Sequence, residues 1–147
     1  MPGTKQITND ELLALEVDVL IPAAIDGVVT KENAHTLKAK IVAEGANGPL
    51  TIEAVEIITA NRIFLIPDIL CNAGGVIVSY FEWVQGLQSF FWDLDDVNKR
   101  LHKILRDAFE KVYFNQKQYS CNMKTAAVIT AIKRLEDAMN QRGLWPS

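Results

Sequence analysis

The 147-residue sequence is poor in cysteine and histidine, with two residues of each. Cys71 and Cys121 cannot build a disulfide framework, and their spacing to His35 and His102 is not that of metal ligands. The sequence therefore argues against a disulfide-stapled domain and against a metal-binding domain. We assign no metal-binding residue.

Long apolar runs and an excess of charge of one sign are also missing. Every apolar stretch is broken by proline, glycine or charge well short of the about 20 residues that span a bilayer, and the N-terminus has no basic-then-apolar leader. The 15 basic and 18 acidic side chains give a net charge of −3, which does not favour binding to nucleic acid. We therefore expect a cytoplasmic protein with neither a membrane nor a nucleic acid as partner.

What the sequence does contain is enough apolar side chain for a core, since 49% of its residues are hydrophobic. A chain of this size buries roughly 68–70% of the surface that its unfolded form exposes. A complete dinucleotide-dependent enzyme combines a nucleotide domain with a substrate domain and normally exceeds about 250 residues. We therefore expect one compact unit that could hold only part of such an enzyme.

Three β-branched apolar runs precede residue 70, each ending at a turn signal. Their centres lie 22 and 23 residues apart, which is too far for hairpins and suits parallel strands joined by crossover helices. Near-continuous apolar runs are typical of strands that are covered on both faces. The pattern predicts a βαβαβ unit with strands at Val17–Ile21, Lys40–Ala43 and Arg62–Ile66.

Three helices are predicted in the first half of the chain, each after a threonine that suits the N-cap position. The helix before the first strand also has a glutamate at the capping-box position, and the helix in the first crossover is short. The predicted helices are Asn9–Leu15 after Thr8, Lys31–Leu37 after Thr30, and Ile52–Ala60 after Thr51.

The second half of the chain has helical periodicity. Apolar residues from Val97 to Val112 share one helix face after a candidate cap at Asp93, and a second apolar stripe runs from Val128 to Met139 between Asn122 and Gly143. We expect an antiparallel helix pair. Between the halves, segment 76–84 is rich in β-branched and aromatic residues, which favours a strand, whereas entry through a glycine pair favours a helix. The residues alone leave both alternatives open.

The carboxyl ends of the three predicted strands carry small residues and amides, in Pro22–Ala24, Glu44–Pro49 and Pro67–Gly75. Ligands of open parallel sheets bind at this edge. Alanine and glycine let a flat ligand approach the backbone, and asparagine offers both a donor and an acceptor. The same residues also form ordinary turns, so a ligand site and purely structural loops remain equal alternatives.

Direct phosphate-binding signatures are missing, because no G-x-G-x-x-G or P-loop motif occurs. Glu44 and Asp68 could act as an acid–base pair, although loop-end carboxylates more commonly cap a helix or turn. Cys71 has no basic neighbour in sequence that would lower its pKa, so we expect a buried, inert thiol.

Asp18–Ala24, Lys40–Pro49 and Ile66–Trp83, together with Thr125–Ala127 and the closing helix, resemble the C-terminal part of hexameric glutamate dehydrogenase. The resemblance covers residues 2–145 in one collinear series. It implies an α/β fold in which residues 1–72 are the second half of a Rossmann-like domain, a parallel sheet of about three strands. Residues 73–147 would form a bridging helix, from Ala73 to about residue 90, and the C-terminal helices, packed as one unit with the first part.

The resemblance also implies a site. The cofactor of the family is NAD or NADP, without indication here of which, and the substrates are glutamate and 2-oxoglutarate. Ala23, Ala24 and Asn47, in two loops, would line the ribose and nicotinamide. Asn72 would lie near the nicotinamide. Val76 and Ser79, on one helix face, would meet the substrate side chain and its distal carboxylate.

The lysines and the aspartate that perform catalysis in the family have no counterpart in these 147 residues, nor does its glycine-rich pyrophosphate turn. We therefore assign no catalytic residue and predict a fragment of an NAD(P)-dependent glutamate dehydrogenase that is inactive alone. The alternative is a stand-alone nucleotide-binding or assembly module that partners a dehydrogenase subunit. Because the strand at Val17–Ile21 would form a hydrophobic edge, we expect a homo-oligomer, or cover from residues 1–16.

Overall fold

The computed structural model describes residues 3–142 and divides into two compact units between Asp68 and Ile69. Unit 1 contains α1 (Asn9–Leu13) and three strands with the connections between them. Unit 2 consists of helices. No helix in the described part of the chain is both long and apolar enough to cross a membrane.

The sheet of unit 1 has three parallel strands, β1 (Val19–Leu20), β2 (Ile41–Ala43) and β3 (Phe64–Ile66), in the spatial order β1, β2, β3. Val19 pairs with Ile41, and Ile41 pairs with Phe64, so the centres of the three apolar runs lie in register. The three predicted parallel strands are confirmed, and each is shorter than the run that predicted it.

The second crossover is α2 (Ile52–Ala60), as predicted. The Thr51 hydroxyl accepts a hydrogen bond from the Ala54 amide at 3.3 Å and caps the helix. Ala54, Val55 and Ile58 form its buried face. This face supplies part of a core that also contains residues of both crossovers, the sheet and α1: Leu13, Val29, Ala34, Leu37, Ala39, Val42, Leu50 and Leu65.

The predicted helix at Lys31–Leu37 is wrong, because only a single 3₁₀ turn at Ala34–Thr36 forms there. Side chains of this segment bind the local backbone instead: Asn33 accepts a hydrogen bond from the Thr30 amide at 2.8 Å and donates one to the Val28 carbonyl at 3.0 Å. Such bonds compete with the helical ladder. The Thr30 hydroxyl also donates to the Glu32 carboxylate, which lowers the pKa of that group.

The predicted capping box at the start of α1 is confirmed. The Thr8 hydroxyl accepts from the Glu11 amide at 3.2 Å, and the Glu11 carboxylate accepts from the Thr8 amide at 2.7 Å. The helix ends earlier than predicted, at Leu13, which belongs to the buried core against which Val17 and Leu20 also pack. Part of the expected cover from residues 1–16 is therefore present, although Val19 of β1 remains 48% exposed at the sheet edge.

Unit 2 begins in α3 (Asp68–Cys71), which spans the division, and continues in α4 (Ala73–Gln88). The helical alternative for residues 76–84 is therefore correct, as the family resemblance implied. Phe81 is buried against Trp92, with ring centroids 5.4 Å apart. A Cβ at Gly74 would lie 4.0 Å from Leu101, so a small residue allows the next helix to pack closely against α4.

The predicted antiparallel helix pair is formed by α5 (Leu94–Tyr119) and α6 (Met123–Arg142). Asp93 occupies the N-cap position of α5 without a side-chain cap bond, and Asn122 caps α6 by accepting from the Thr125 amide at 2.9 Å. Between the helices, the buried Asn115 donates to the Thr130 hydroxyl at 2.8 Å. The predicted stop at residues 143 and 146 lies outside the described residues.

Ile58→Ala should destabilise unit 1 by about 2–5 kcal/mol, because Ile58 is fully buried and the substitution leaves a cavity. Ile52→Ala is the matched control: it lies on the same helix and is 78% exposed, so its effect should stay within about 0.5 kcal/mol. Urea unfolding is followed by the NMR signals of residues 41–66, which report on unit 1. Tryptophan fluorescence would not report on unit 1, because all three tryptophans lie in the second half of the sequence. Equal effects of the two substitutions would contradict the described core.

Candidate functional site

The loops that follow β1 and β2 are joined where they leave the sheet. The Pro22 carbonyl accepts hydrogen bonds from the amides of Gly45 and Ala46, both at 3.0 Å. The backbones approach so closely that a Cβ at Gly45 would lie 2.9 Å from the Cβ of Ala23. Glycine is therefore required at position 45 to bring the two loops together.

The same two loops are joined a second time at their far ends. The Gly27 amide donates to the Gly48 carbonyl, the Val29 amide donates to the Pro49 carbonyl, both at 2.9 Å, and Val29 forms a parallel bridge with Leu50. Between the two joints, residues 23–26 and Asn47 are exposed. The loops are thus fixed at both ends and present short exposed segments at the carboxyl edge of the sheet.

Two carboxylates connect the loop after β2 with the start of α3. Glu44 is 0% exposed, and its Oε2 accepts from the Asp68 amide at 2.9 Å. Asp68 Oδ2 in turn accepts from the Gly48 amide at 2.9 Å, where the backbone adopts a positive φ of 56°. Both side chains therefore cap backbone amides, which is the structural interpretation of these residues rather than the acid–base one.

Ala23, Ala24 and Asn47, the three positions implied for the cofactor in unit 1, are all exposed on these fixed loops. Two alanine methyl groups leave room for a flat ring to lie against the backbone, and the Asn47 amide carries both a donor and an acceptor. The local surface therefore offers space for a flat ligand and one amide side chain for hydrogen bonds to it. Among the described residues, no three His, Cys, Asp or Glu side chains come together as a metal site.

The other three implied positions lie in unit 2, at the first turns of α4. Asn72 occupies the N-cap position without a side-chain cap bond. Val76, 71% exposed, and Ser79, also exposed, are three residues apart and share one face of the helix. The six implied positions thus form two sets, one on the sheet edge of unit 1 and one on the exposed face of α4.

The expectation of a buried thiol at Cys71 is wrong, because Cys71 is exposed. It is the last residue of α3, a helix of only four residues with no buried side chain. The sequence analysis also did not predict the hydrogen bond between the Glu44 carboxylate and the Asp68 amide, which lie 24 residues apart. Each carboxylate follows a predicted strand, and this placement at one sheet edge was the signal that could have identified the bond.

A family model described as Glutamate/Leucine/Phenylalanine/Valine dehydrogenase matches residues 1–143. Among curated proteins, the chain is 54% identical over 145 residues to a glutamate dehydrogenase of Thermotoga maritima, covering 99% of this chain and 35% of the relative. It is 47% identical over 137 residues to an NAD-specific glutamate dehydrogenase of Staphylococcus aureus, covering 93% of this chain and 33% of the relative. The chain spans about a third of the length of the curated relatives it matches.

Among solved structures, glutamate dehydrogenases also match this chain. The hetero-hexameric glutamate dehydrogenase of Thermus thermophilus in a leucine-bound form matches with a TM-score of 0.89 at 30% identity, covering 98% of this chain and 35% of that one. The glutamate dehydrogenase of Peptoniphilus asaccharolyticus matches with a TM-score of 0.81 at 39% identity, covering 85% of this chain and 32% of that one. The three-stranded sheet with its helices therefore corresponds to part of a Rossmann-like dehydrogenase fold.

Gly45→Ala should displace the loop that carries Ala23, because the new methyl group would overlap the Ala23 side chain. We expect faster amide hydrogen exchange at Ala46, whose amide donates to Pro22, and shifted NMR signals for residues 22–27. Gly86→Ala is the control, since its Cβ would meet nothing within 4 Å and alanine favours the helix by about 0.5–1 kcal/mol. Unchanged Ala46 exchange in Gly45→Ala would refute the close approach of the loops.

Proposed function

This chain belongs to the glutamate/leucine/phenylalanine/valine dehydrogenase family, and we propose that it forms the nicotinamide side and the substrate side-chain wall of an NAD(P)-dependent glutamate dehydrogenase. The reaction is the oxidation of L-glutamate to 2-oxoglutarate and ammonia. The observation that carries the proposal is the pair of doubly joined loops, which exposes Ala23, Ala24 and Asn47 at the sheet edge. The names of the curated relatives support glutamate as the substrate.

On the cofactor side, the two alanines provide a flat surface against which the ribose and nicotinamide rest, and Asn47 binds the ribose hydroxyls or the carboxamide. Asn72, at the start of α4, lies near the nicotinamide. The bound cofactor supplies the acceptor for the hydride that leaves the amino acid. Because hydrogen bonds within unit 1 fix the two loops, Ala23, Ala24 and Asn47 are held in place before the cofactor binds.

On the substrate side, we assign Val76 and Ser79 to the glutamate side chain. The Val76 methyl groups contact the aliphatic carbons, and the Ser79 hydroxyl donates a hydrogen bond to the distal carboxylate. Both project from one face of α4. A hydroxyl at this position favours a substrate that ends in a carboxylate over one that ends in an apolar group, because the latter would leave the hydroxyl unpaired.

No described side chain is assigned to proton transfer or to polarising the carbonyl, since Glu44 and Asp68 are bound to backbone amides. Each missing acid–base group costs about 10²–10⁴ in rate. We also propose that the chain takes part in a homo-oligomer. The Thermus thermophilus relative is itself a hetero-hexamer by its description.

The purified 147-residue chain should show no turnover of glutamate with either NAD or NADP, because the proton-handling and carbonyl-polarising groups are not among its residues. Absorbance of the reduced cofactor measures the reaction in both directions. Turnover that Ser79→Ala abolishes would contradict the prediction. Turnover that Ser79→Ala leaves unchanged would come from a co-purified host enzyme, and a mock purification from cells lacking the chain identifies that source.

A second candidate function is a stand-alone nucleotide-binding or assembly module that partners a dehydrogenase subunit. One observation favours it: the backbone hydrogen bonds that join the two cofactor loops lie within unit 1, so these bonds form between residues of the chain itself. The two candidates differ in how tightly the isolated chain binds the cofactor, because half a site retains only a fraction of the contacts.

Calorimetric titration of the chain with NAD and with NADP separates the two candidates. A Kd below about 1 mM that Asn47→Ala weakens supports the module, whereas weaker binding supports the fragment. The matched control is Asn61→Ala: Asn61 is exposed at the C-terminal end of α2, which leads back to the opposite edge of the sheet. Equal losses in both variants would remove Asn47 from the cofactor site.

A further inference from the structure

Asn47 is the only asparagine of the sequence that a glycine follows. In an Asn–Gly dipeptide, the backbone nitrogen of the glycine can attack the side-chain carbonyl carbon of the asparagine and close a five-membered succinimide ring. Glycine favours this closure because it has no side chain to hinder the approach. Asn47 is exposed, and a Cβ at Gly48 would meet nothing within 4 Å. The described residues therefore leave room for the reaction.

One hydrogen bond opposes the ring closure directly. In the succinimide, the side-chain carbon of Asn47 takes the place of the amide hydrogen on the Gly48 nitrogen. That hydrogen points at Asp68, whose Oδ2 accepts it at a nitrogen–oxygen distance of 2.9 Å. The carboxylate therefore holds the proton that must leave and lies on the side from which the asparagine carbon must approach. Hydrogen bonds to a charged acceptor are among the stronger ones.

The fold holds both partners of this bond in place. The Asp68 amide donates to the Oε2 of Glu44, which is 0% exposed. On the other side, the Gly48 carbonyl accepts from the Gly27 amide at 2.9 Å, and the next residue, Pro49, is fully buried. The Gly48 nitrogen can thus reach the asparagine side chain only after this part of the loop opens locally, so the restraint belongs to the folded state.

We propose that Asn47 is a site of spontaneous deamidation and that the Asp68 carboxylate restrains the reaction in the folded chain. In the first step, the bond between the Gly48 nitrogen and Asn47 Cγ forms and the bond from Cγ to the side-chain nitrogen breaks. Ammonia leaves with the amide hydrogen of Gly48. Water then adds to one of the two ring carbonyls and opens the ring to aspartate or isoaspartate. No group changes its oxidation state, and water is the co-reactant.

The modification changes the chemistry of the loop after β2. Either product adds a negative charge and removes the side-chain amide, which is the hydrogen-bond donor of Asn47. Isoaspartate also lengthens the backbone, because the chain then runs through the former side chain. The inference does not rest on the proposed function, since the mass and the linkage at residue 47 are measured without any cofactor.

Peptide mapping of the incubated full chain tests the proposal. Trypsin should release residues 41–62 as one peptide, which contains Asn47 and the exposed Asn61. Fragmentation of this peptide, after the folded chain has been kept at mildly alkaline pH, gives the deamidation rate at both asparagines. Asp68→Ala should raise the rate at Asn47 at least about tenfold, because a hydrogen bond to a charged group is lost. The rate at Asn61, which an arginine follows, should not change.

Two further variants show that the carboxylate itself is responsible. Asp18→Ala is the matched control: it removes an exposed carboxylate that binds Lys40 at the opposite edge of the sheet, and it should leave the rate at Asn47 as in the wild type. Asp68→Asn keeps an oxygen that can accept from the Gly48 amide but lacks the charge. Its rate should lie between those of the wild type and Asp68→Ala.

NMR signals of the buried Val42 and Leu65 show whether each variant keeps the core of unit 1, and if Asp68→Ala does not, Asp68→Asn decides. An unchanged rate at Asn47 in the deciding variant would overturn the proposal. A lower rate would also overturn it, because the carboxylate would then act as a base for the attack. The same holds if the wild-type chain deamidates as fast as the isolated 41–62 peptide, since the fold would then exert no restraint.

Discussion

A buried carboxylate holds the carboxyl edge of the sheet together. A buried carboxyl group without hydrogen bonds costs several kcal/mol, so the fold must bring donors to Glu44, and the Asp68 amide is one of them. Asp68 then accepts from Gly48 in the loop after β2. The hydrogen bond to the buried Glu44 therefore positions Asp68 after β3. Asp68 in turn holds the turn at Gly48 in the loop after β2.

Because hydrogen bonds fix the loops at this edge of the sheet, the exposed part of the site can consist of small side chains. Glycine at position 45 lets the loops of β1 and β2 touch, and four backbone hydrogen bonds then hold them. With the backbone fixed in this way, the exposed side chains need little bulk of their own. Ala23, Ala24 and Asn47 are thus consistent with a surface whose shape comes from the backbone and whose specificity comes from a few polar atoms.

How far the sequence predicts this protein depends on whether a feature is local. The parallel strands and α2 follow from β-branched runs and a threonine cap, and both are observed. The first crossover differs from expectation because the Asn33 side chain binds the backbone of Thr30 and Val28, and hydrophobic periodicity does not detect such bonds. Propensity alone left residues 76–84 ambiguous, and only the family resemblance indicated the helix that is present. The sequence places Glu44 and Asp68 at the same edge of the sheet, but it does not show that the Glu44 carboxylate binds the Asp68 amide.

Periodicity also shows which residues share a helix face but not whether that face has a partner. In unit 1 the apolar face of α2 at Ala54, Val55 and Ile58 is buried. In unit 2, by contrast, α6 carries an exposed apolar stripe at Val128, Ile132, Leu135 and Met139, and α4 carries a second one with the same spacing at Val76, Tyr80, Trp83 and Leu87. Since stability arises mostly from apolar burial, unit 2 has more to gain from association than unit 1. Any species that covers these stripes in the folded state only will stabilise unit 2 by mass action, so its stability is a property of what it binds as much as of its own sequence.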